Sequence, residues 1–133
     1  MYEQSFRGIE YPGTDEMPVS ELPFSPVVKV GSLLFVSGQA SVDGAGTIVE
    51  GSFEEEVRRS FNNLKAVLES AGSDLKHLVQ TRNYVRDGEN VKRFNEIYRE
   101  IFEGPYPART TLTGCLGRIQ FEVECIAVVK EEA

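Results

Sequence analysis

The stretch Ile119-Gln120-Phe121-Glu122-Val123-Glu124-Cys125-Ile126-Ala127 constrains the fold more than any other part of the chain. Apolar and polar residues alternate along it. Successive side chains of a strand point to opposite faces, so Ile119, Phe121, Val123 and Cys125 share one face, which should pack under other elements. Gln120, Glu122, Glu124, Ile126 and Val128 share the other. That second face places two carboxylates on one side and then turns apolar along its length. A face wholly in water has no need of Ile126 and Val128. Cover by another subunit accounts for them most simply, and two stray surface aliphatics are the other reading.

The helices that would cover the first face are also legible. Ser52-Phe53-Glu54-Glu55 is a capping box, with Ser52 at the N-cap and Glu55 at N3. Phe53, Val57, Phe61, Leu64, Leu68 and Ala71 follow at spacings of three or four, one stripe of a five-turn helix that Gly72 ends. Glu54-Glu55-Glu56 reads as the solvated first turn. Val91, Phe94, Ile97, Tyr98, Ile101 and Phe102 mark a second helix, ended by Gly104-Pro105. Val27–Val30 and Ser32–Ser37 form a hairpin about Gly31, with Gly38-Gln39 and a turn at Asp43–Gly46 after it. Leu78–Val85, Ala108–Thr113 and Arg118–Val129 supply three more strands. Residues 1–22 read as an extended lead-in with a short strand near Phe6–Ile9, and 23–129 as the core of a single domain spanning 1–133. Two helices on one face of a sheet make an α+β domain.

A chain of 133 residues, 41% of them apolar, supports one real core. A net charge of −7 weighs against nucleic acid as a main partner, because phosphate contact needs a basic surface. It leaves room for a small anionic ligand. There is no apolar run of membrane-spanning length and no basic-then-apolar leader, so neither a membrane partner nor export is expected and a cytoplasmic location is the default. Cys115 and Cys125 lack CxxC spacing and should be thiols there. The lone histidine, His77, sits in a turn with no triad or metal cluster around it.

One residue stands apart chemically. In Pro107-Ala108-Arg109-Thr110-Thr111 a lone arginine opens a Thr-rich β-run. An arginine grips a carboxylate with two parallel hydrogen bonds, and a glutamate such as Glu122 can activate a water. Together they would suffice for hydrolysis of a small anionic substrate without a metal. They become neighbours only if their strands pair or face each other across an interface.

The chain resembles the RidA/YjgF family of reactive-intermediate (enamine/imine) deaminases. The resemblance runs from about Pro23 to Val129 and is carried by Pro23-Phe24-Ser25-Pro26, Val36-Ser37-Gly38-Gln39, Asn63 to Gly72, Phe94-Asn95-Glu96-Ile97-Tyr98, Pro107-Ala108-Arg109-Thr110 and Phe121 to Ala127. No single motif decides it; their order and spacing do. It implies a chorismate-mutase-like fold, a six-stranded mixed sheet with two helices on one face, and a homotrimer whose sheets enclose a central barrel with active sites between subunits. It also implies cofactor-free hydrolysis of 2-aminoacrylate-type enamines, or their imine tautomers, to 2-keto acids and ammonia.

By position, Arg109 matches the family arginine that binds the substrate carboxylate, and Glu122 the acid that positions water. Thr111 matches a backbone contact to the carboxylate, Ser37 and Gly38 the stretch at the substrate's nitrogen end, and Asn95 a pocket-supporting position. Phe24 stands where archetypal members have a tyrosine. Leu116-Gly117 replaces Leu-Pro in a shortened turn, and the lead-in is longer. The first two changes alter the pocket wall and bear on substrate preference rather than reaction type. A deaminase of another unstable amino compound, such as an aminomuconate or a pyrimidine-breakdown aminoacrylate, is therefore a second reading. A non-catalytic trimeric module that binds small carboxylates or acts like a chaperone is a third. The ribonuclease activity attached to some members fits poorly with the net charge and single histidine.

Overall fold

The computed structural model describes residues 8–12 and 22–131. The Phe6 end of the expected lead-in strand lies outside them. Its other end is present as β1 (Ile9–Glu10), which pairs antiparallel with β2 (Val27–Val30). The hairpin about Gly31 forms as expected, with Gly31 at φ +61°, a left-handed value that glycine adopts without a Cβ clash.

The second strand of that hairpin, β3 (Leu33–Ala40), is longer than the sequence suggested. Gly38 and Gln39 do not end it. They lie within it, at an irregularity in its pairing with β6 (Phe121–Val128) between Val36 and Gln39. A bulge of this kind lets glycine stay inside a strand and re-aims the neighbouring side chains.

The capping box of α1 (Phe53–Ser70) is present in both directions: Ser52 Oγ accepts from the Glu55 amide, and Glu55 accepts from the Ser52 amide. Gly72, at φ +87°, follows the last turn. Glu56 corrects the reading of a solvated acidic turn. It is buried, and its carboxylate accepts from the Gln120 backbone amide at 2.9 Å and the Gln120 side-chain amide at 2.8 Å. Those bonds tie the start of α1 to the start of β6. The turn at Asp74–His77 leads into β4 (Leu78–Val85), which is followed by α2 (Val91–Ile101) and the edge strand β5 (Ala108–Thr113).

The six strands lie in the order β1-β2-β3-β6-β4-β5, with only β4 and β5 parallel. This α+β arrangement of a mixed sheet and two helices matches the expected class. Both helices cover one face. Val57, Phe61, Leu64 and Leu68 of α1 and Phe94, Ile97 and Tyr98 of α2 bury against Leu34, Val36, Phe121, Val123, Cys125 and Ala127. The Phe121 ring sits 5.7 Å from Phe61 and 5.1 Å from Phe94. Arg58 and Arg93 both bond Glu54, and Arg58 also reaches Glu100, which couples α1 to α2 across their surface.

The opposite face of the sheet is open. By register, Phe35 lies beside Ile126, Leu33 beside Val128, and Leu112 beside Tyr84. Phe35 is 41% and Leu112 48% exposed. Among the described residues no helix is long and apolar enough to cross a membrane.

Candidate active site

Strand β5 carries Arg109 at the sheet edge, in register with Thr81 of β4, which in turn pairs with Cys125 of β6. Arg109 therefore projects from the helix-covered side. Its guanidinium lies over two rings of α2, 5.2 Å from Phe94 and 5.0 Å from Tyr98, and its Nη2 donates to Asn95 Oδ1 at 2.7 Å. Phe94 and Tyr98 are one helical turn apart, and their rings meet edge to face, 64° apart in plane, to make the floor beneath it. A cation over aromatic faces is held by their quadrupoles, with roughly 0.5–1 kcal/mol per contact at an exposed position such as this. No carboxylate among the described residues pairs with Arg109. The rest of its fork borders a cavity of about 320 Å³ lined by Asn95, Tyr98, Arg99, Tyr106, Pro107 and Arg109. A guanidinium with part of its fork free can take two parallel hydrogen bonds from a carboxylate.

Glu122 lies elsewhere. It pairs with Tyr84 on the open face, because register places Tyr84 on the side opposite Thr81. Gly38 is its immediate neighbour: a Cβ built on Gly38 would sit 2.8 Å from Glu122 Cδ and 2.9 Å from Oε2. Burial, and secondarily the charge of Glu124, pushes the Glu122 carboxyl above its ordinary range. A carboxylate raised in this way is a better proton acceptor than a solvated one. Glu124 itself accepts a short hydrogen bond from the Tyr84 hydroxyl.

The structure thus brings Arg109 to Asn95 and Glu122 to Gly38, but sets the two pairs on opposite faces of the sheet. Their strands do not pair either, since β4 separates β5 from β6. Ser37 donates its hydroxyl proton to the Ser25 carbonyl at 2.6 Å, and its amide bonds the Pro26 carbonyl. These bonds anchor the Pro-Phe-Ser-Pro segment to β3, and the Phe24 ring stays 52% exposed. Thr111 lies in register with buried Asn83, its Oγ1 without a partner among the described residues.

Sequence reasoning missed the aromatic floor. Phe94 and Tyr98 read as ordinary members of a helix stripe, and the available signal was that two rings one turn apart flank Asn95. His77 bonds Asp74 within its turn at 2.6 Å. Among the described residues no cluster of metal-ligating side chains forms. Burial pushes the Cys125 thiol up to about 12, which makes it inert.

The family model described as Endoribonuclease L-PSP matches residues 14–129. The chain belongs to that family, the RidA/YjgF family. A mitochondrial fission-yeast relative, Schizosaccharomyces pombe protein mmf2, is 39% identical over 79% of this chain and 86% of its own. The mouse 2-iminobutanoate/2-iminopropanoate deaminase is 34% identical over 86% of this chain and 87% of its own. The crystal structure of RidA from an Antarctic Psychrobacter superposes with a TM-score of 0.80 at 29% identity, covering 90% of this chain and 99% of that one. The family therefore includes proteins named as imine deaminases alongside others named as RutC family proteins.

Proposed function

We propose that the protein hydrolyses 2-imino acids, and the 2-aminoacrylate-type enamines that tautomerise to them, to 2-keto acids and ammonia. The observation that carries this reading is Arg109: a guanidinium held on two rings and Asn95, without a carboxylate partner among the described residues, beside a cavity. In the proposed reaction its fork takes the substrate carboxylate, with the Thr111 backbone assisting. This fixes the imine carbon in space. An imine carbon is already electrophilic, so positioning supplies much of the acceleration.

Glu122 positions the attacking water. It accepts one proton as the water oxygen bonds to the imine carbon, and the imine nitrogen takes up that proton as its π bond breaks. The resulting carbinolamine loses ammonia when its hydroxyl re-forms a carbonyl. Burial, which raises the Glu122 carboxyl, makes it a better proton acceptor for this shuttle than a solvated glutamate. Ser37 has committed its proton to Ser25, so it meets the substrate nitrogen through its oxygen lone pairs.

Arg109 and Glu122 act together in this reading only if they come from different subunits. Their placement on opposite faces and the exposed Phe35 and Leu112 on the open face support a homotrimer, with each cleft combining one protomer's Arg109 and Asn95 with a neighbour's Gly38 and Glu122. A cytoplasmic location belongs to the same proposal.

The test is turnover of 2-iminobutanoate generated in situ by an amino-acid oxidase, followed as keto acid formed. Arg109→Lys should lose about 10- to 100-fold in kcat/KM, because an ammonium cannot reproduce the two-pronged bond. Undiminished activity in this variant rejects the site.

A further inference from the structure

The core face of β4 carries two fully buried polar side chains, Thr81 and Asn83, where aliphatic residues would pack without cost. They form a chain. Asn83 Nδ2 donates to Thr81 Oγ1 at 3.1 Å, and Thr81 Oγ1 lies 2.8 Å from the Tyr98 hydroxyl. The Tyr98 ring is one of the two on which the Arg109 guanidinium rests. Asn83 Nδ2 also points to the Thr110 carbonyl at 3.4 Å, on the residue next to Arg109. The chain therefore reaches Arg109 from two sides, through its floor and through its own strand.

Burying hydroxyl and amide groups costs free energy unless every polar atom is paired. Here the pairing is incomplete: Asn83 Oδ1 has no partner among the described residues. Replacing such a chain by apolar groups of the same shape can be nearly neutral or stabilising, so stability alone does not call for it. The ring contacts of Tyr98 do not require the hydroxyl either. Phe94, Phe102 and Tyr106 surround it with centroids at 5.4, 4.6 and 6.3 Å. Apolar neighbours alone let a ring slide and tilt, whereas a hydrogen bond at its far end fixes where its face points.

We infer that Asn83, Thr81 and Tyr98 are positioning residues that hold the aromatic floor beneath Arg109 and so set its grip on a substrate carboxylate. The inference rests on the carboxylate-clamp reading of Arg109, and it concerns binding rather than the chemical step. The chain lies on the helix-covered face, opposite Glu122.

The experiment compares wild type with Tyr98→Phe, Thr81→Val and Thr81→Ser. It measures the Kd of 2-oxobutanoate by calorimetry, kcat and KM for 2-iminobutanoate, and Tm. Tyr98→Phe keeps the ring and the core volume, so the fold should persist. Tyr98→Phe and Thr81→Val should each raise Kd and KM about 5- to 20-fold while kcat stays within about twofold, and Thr81→Ser should restore wild-type values. Wild-type Kd and KM in both Tyr98→Phe and Thr81→Val, whatever happens to Tm, would overturn the inference and leave the deaminase reading intact. A wild-type protein that binds 2-oxobutanoate without turning over any imine would instead overturn the deaminase reading, and the Kd series would still decide the role of the chain.

Discussion

Gly38→Ala separates positioning from folding more cleanly than any other single change. The added Cβ would meet Glu122 Cδ at 2.8 Å, Oε2 at 2.9 Å and Cγ at 3.2 Å. Ordinary contact begins near 3.4 Å, so the carboxylate must withdraw by about 0.6 Å. All three atoms belong to a flexible side chain, so the backbone need not move. Alanine also loses less chain entropy than glycine on folding, by roughly 0.5–1 kcal/mol. Tm should therefore stay near the wild-type value or rise slightly. Catalysis should suffer, since a misplacement of about 1 Å costs on the order of 100-fold, and 0.6 Å should cost about tenfold or more in kcat. The assay is keto-acid release from oxidase-generated 2-iminobutanoate, with Tm read in parallel. In a Glu122→Gln background, Gly38→Ala should cost nothing further, because the group it displaces is already disabled. Wild-type kcat in folded Gly38→Ala would refute the argument that Glu122 must stand where it does.

Two further outcomes follow from the electrostatics of the open face. Glu124→Gln removes the charge that, after burial, lifts the Glu122 carboxyl, so the acidic limb of the kcat/KM profile should move to lower pH; an unmoved limb would assign it to another group. Glu122, raised in the folded state, is least unfavourable to folding below its ordinary titration range and disfavours it as pH rises through the raised value. Glu122→Gln should therefore gain stability relative to wild type between pH 4 and pH 7 in thermal melts, and equal melting at both ends would contradict the burial argument.

The sequence made the sheet and helices legible wherever one local pattern decided the outcome. The alternation of Phe121, Val123 and Cys125 gave the core face of β6, and Ser52 with Glu55 gave the start of α1. Where two distant segments decide, the sequence was silent. Gly38-Gln39 looked like a strand end because a bulge opposite β6 has no local signature. Glu56 looked solvated because its partner, Gln120, lies 64 residues away. Strand β4 alternated only weakly for a reason now visible: its core face carries Thr81 and Asn83 as well as Val85. The candidate site divides in the same way. Arg109 and Glu122 were legible as chemistry, one an isolated cation and the other a strand carboxylate. Their relation was not, because it depends on β4 lying between their strands and on which face each occupies.

Mixed oligomers test the composite cleft most directly. Arg109→Ala and Glu122→Gln should each be nearly inactive alone. If each site takes its arginine from one protomer and its glutamate from a neighbour, co-expressing the two variants in equal amounts should recover roughly a quarter of wild-type activity by random assembly around a symmetric ring. Activity no greater than the sum of the two separate variants, in oligomers shown by mass spectrometry to contain both chains, would contradict the account.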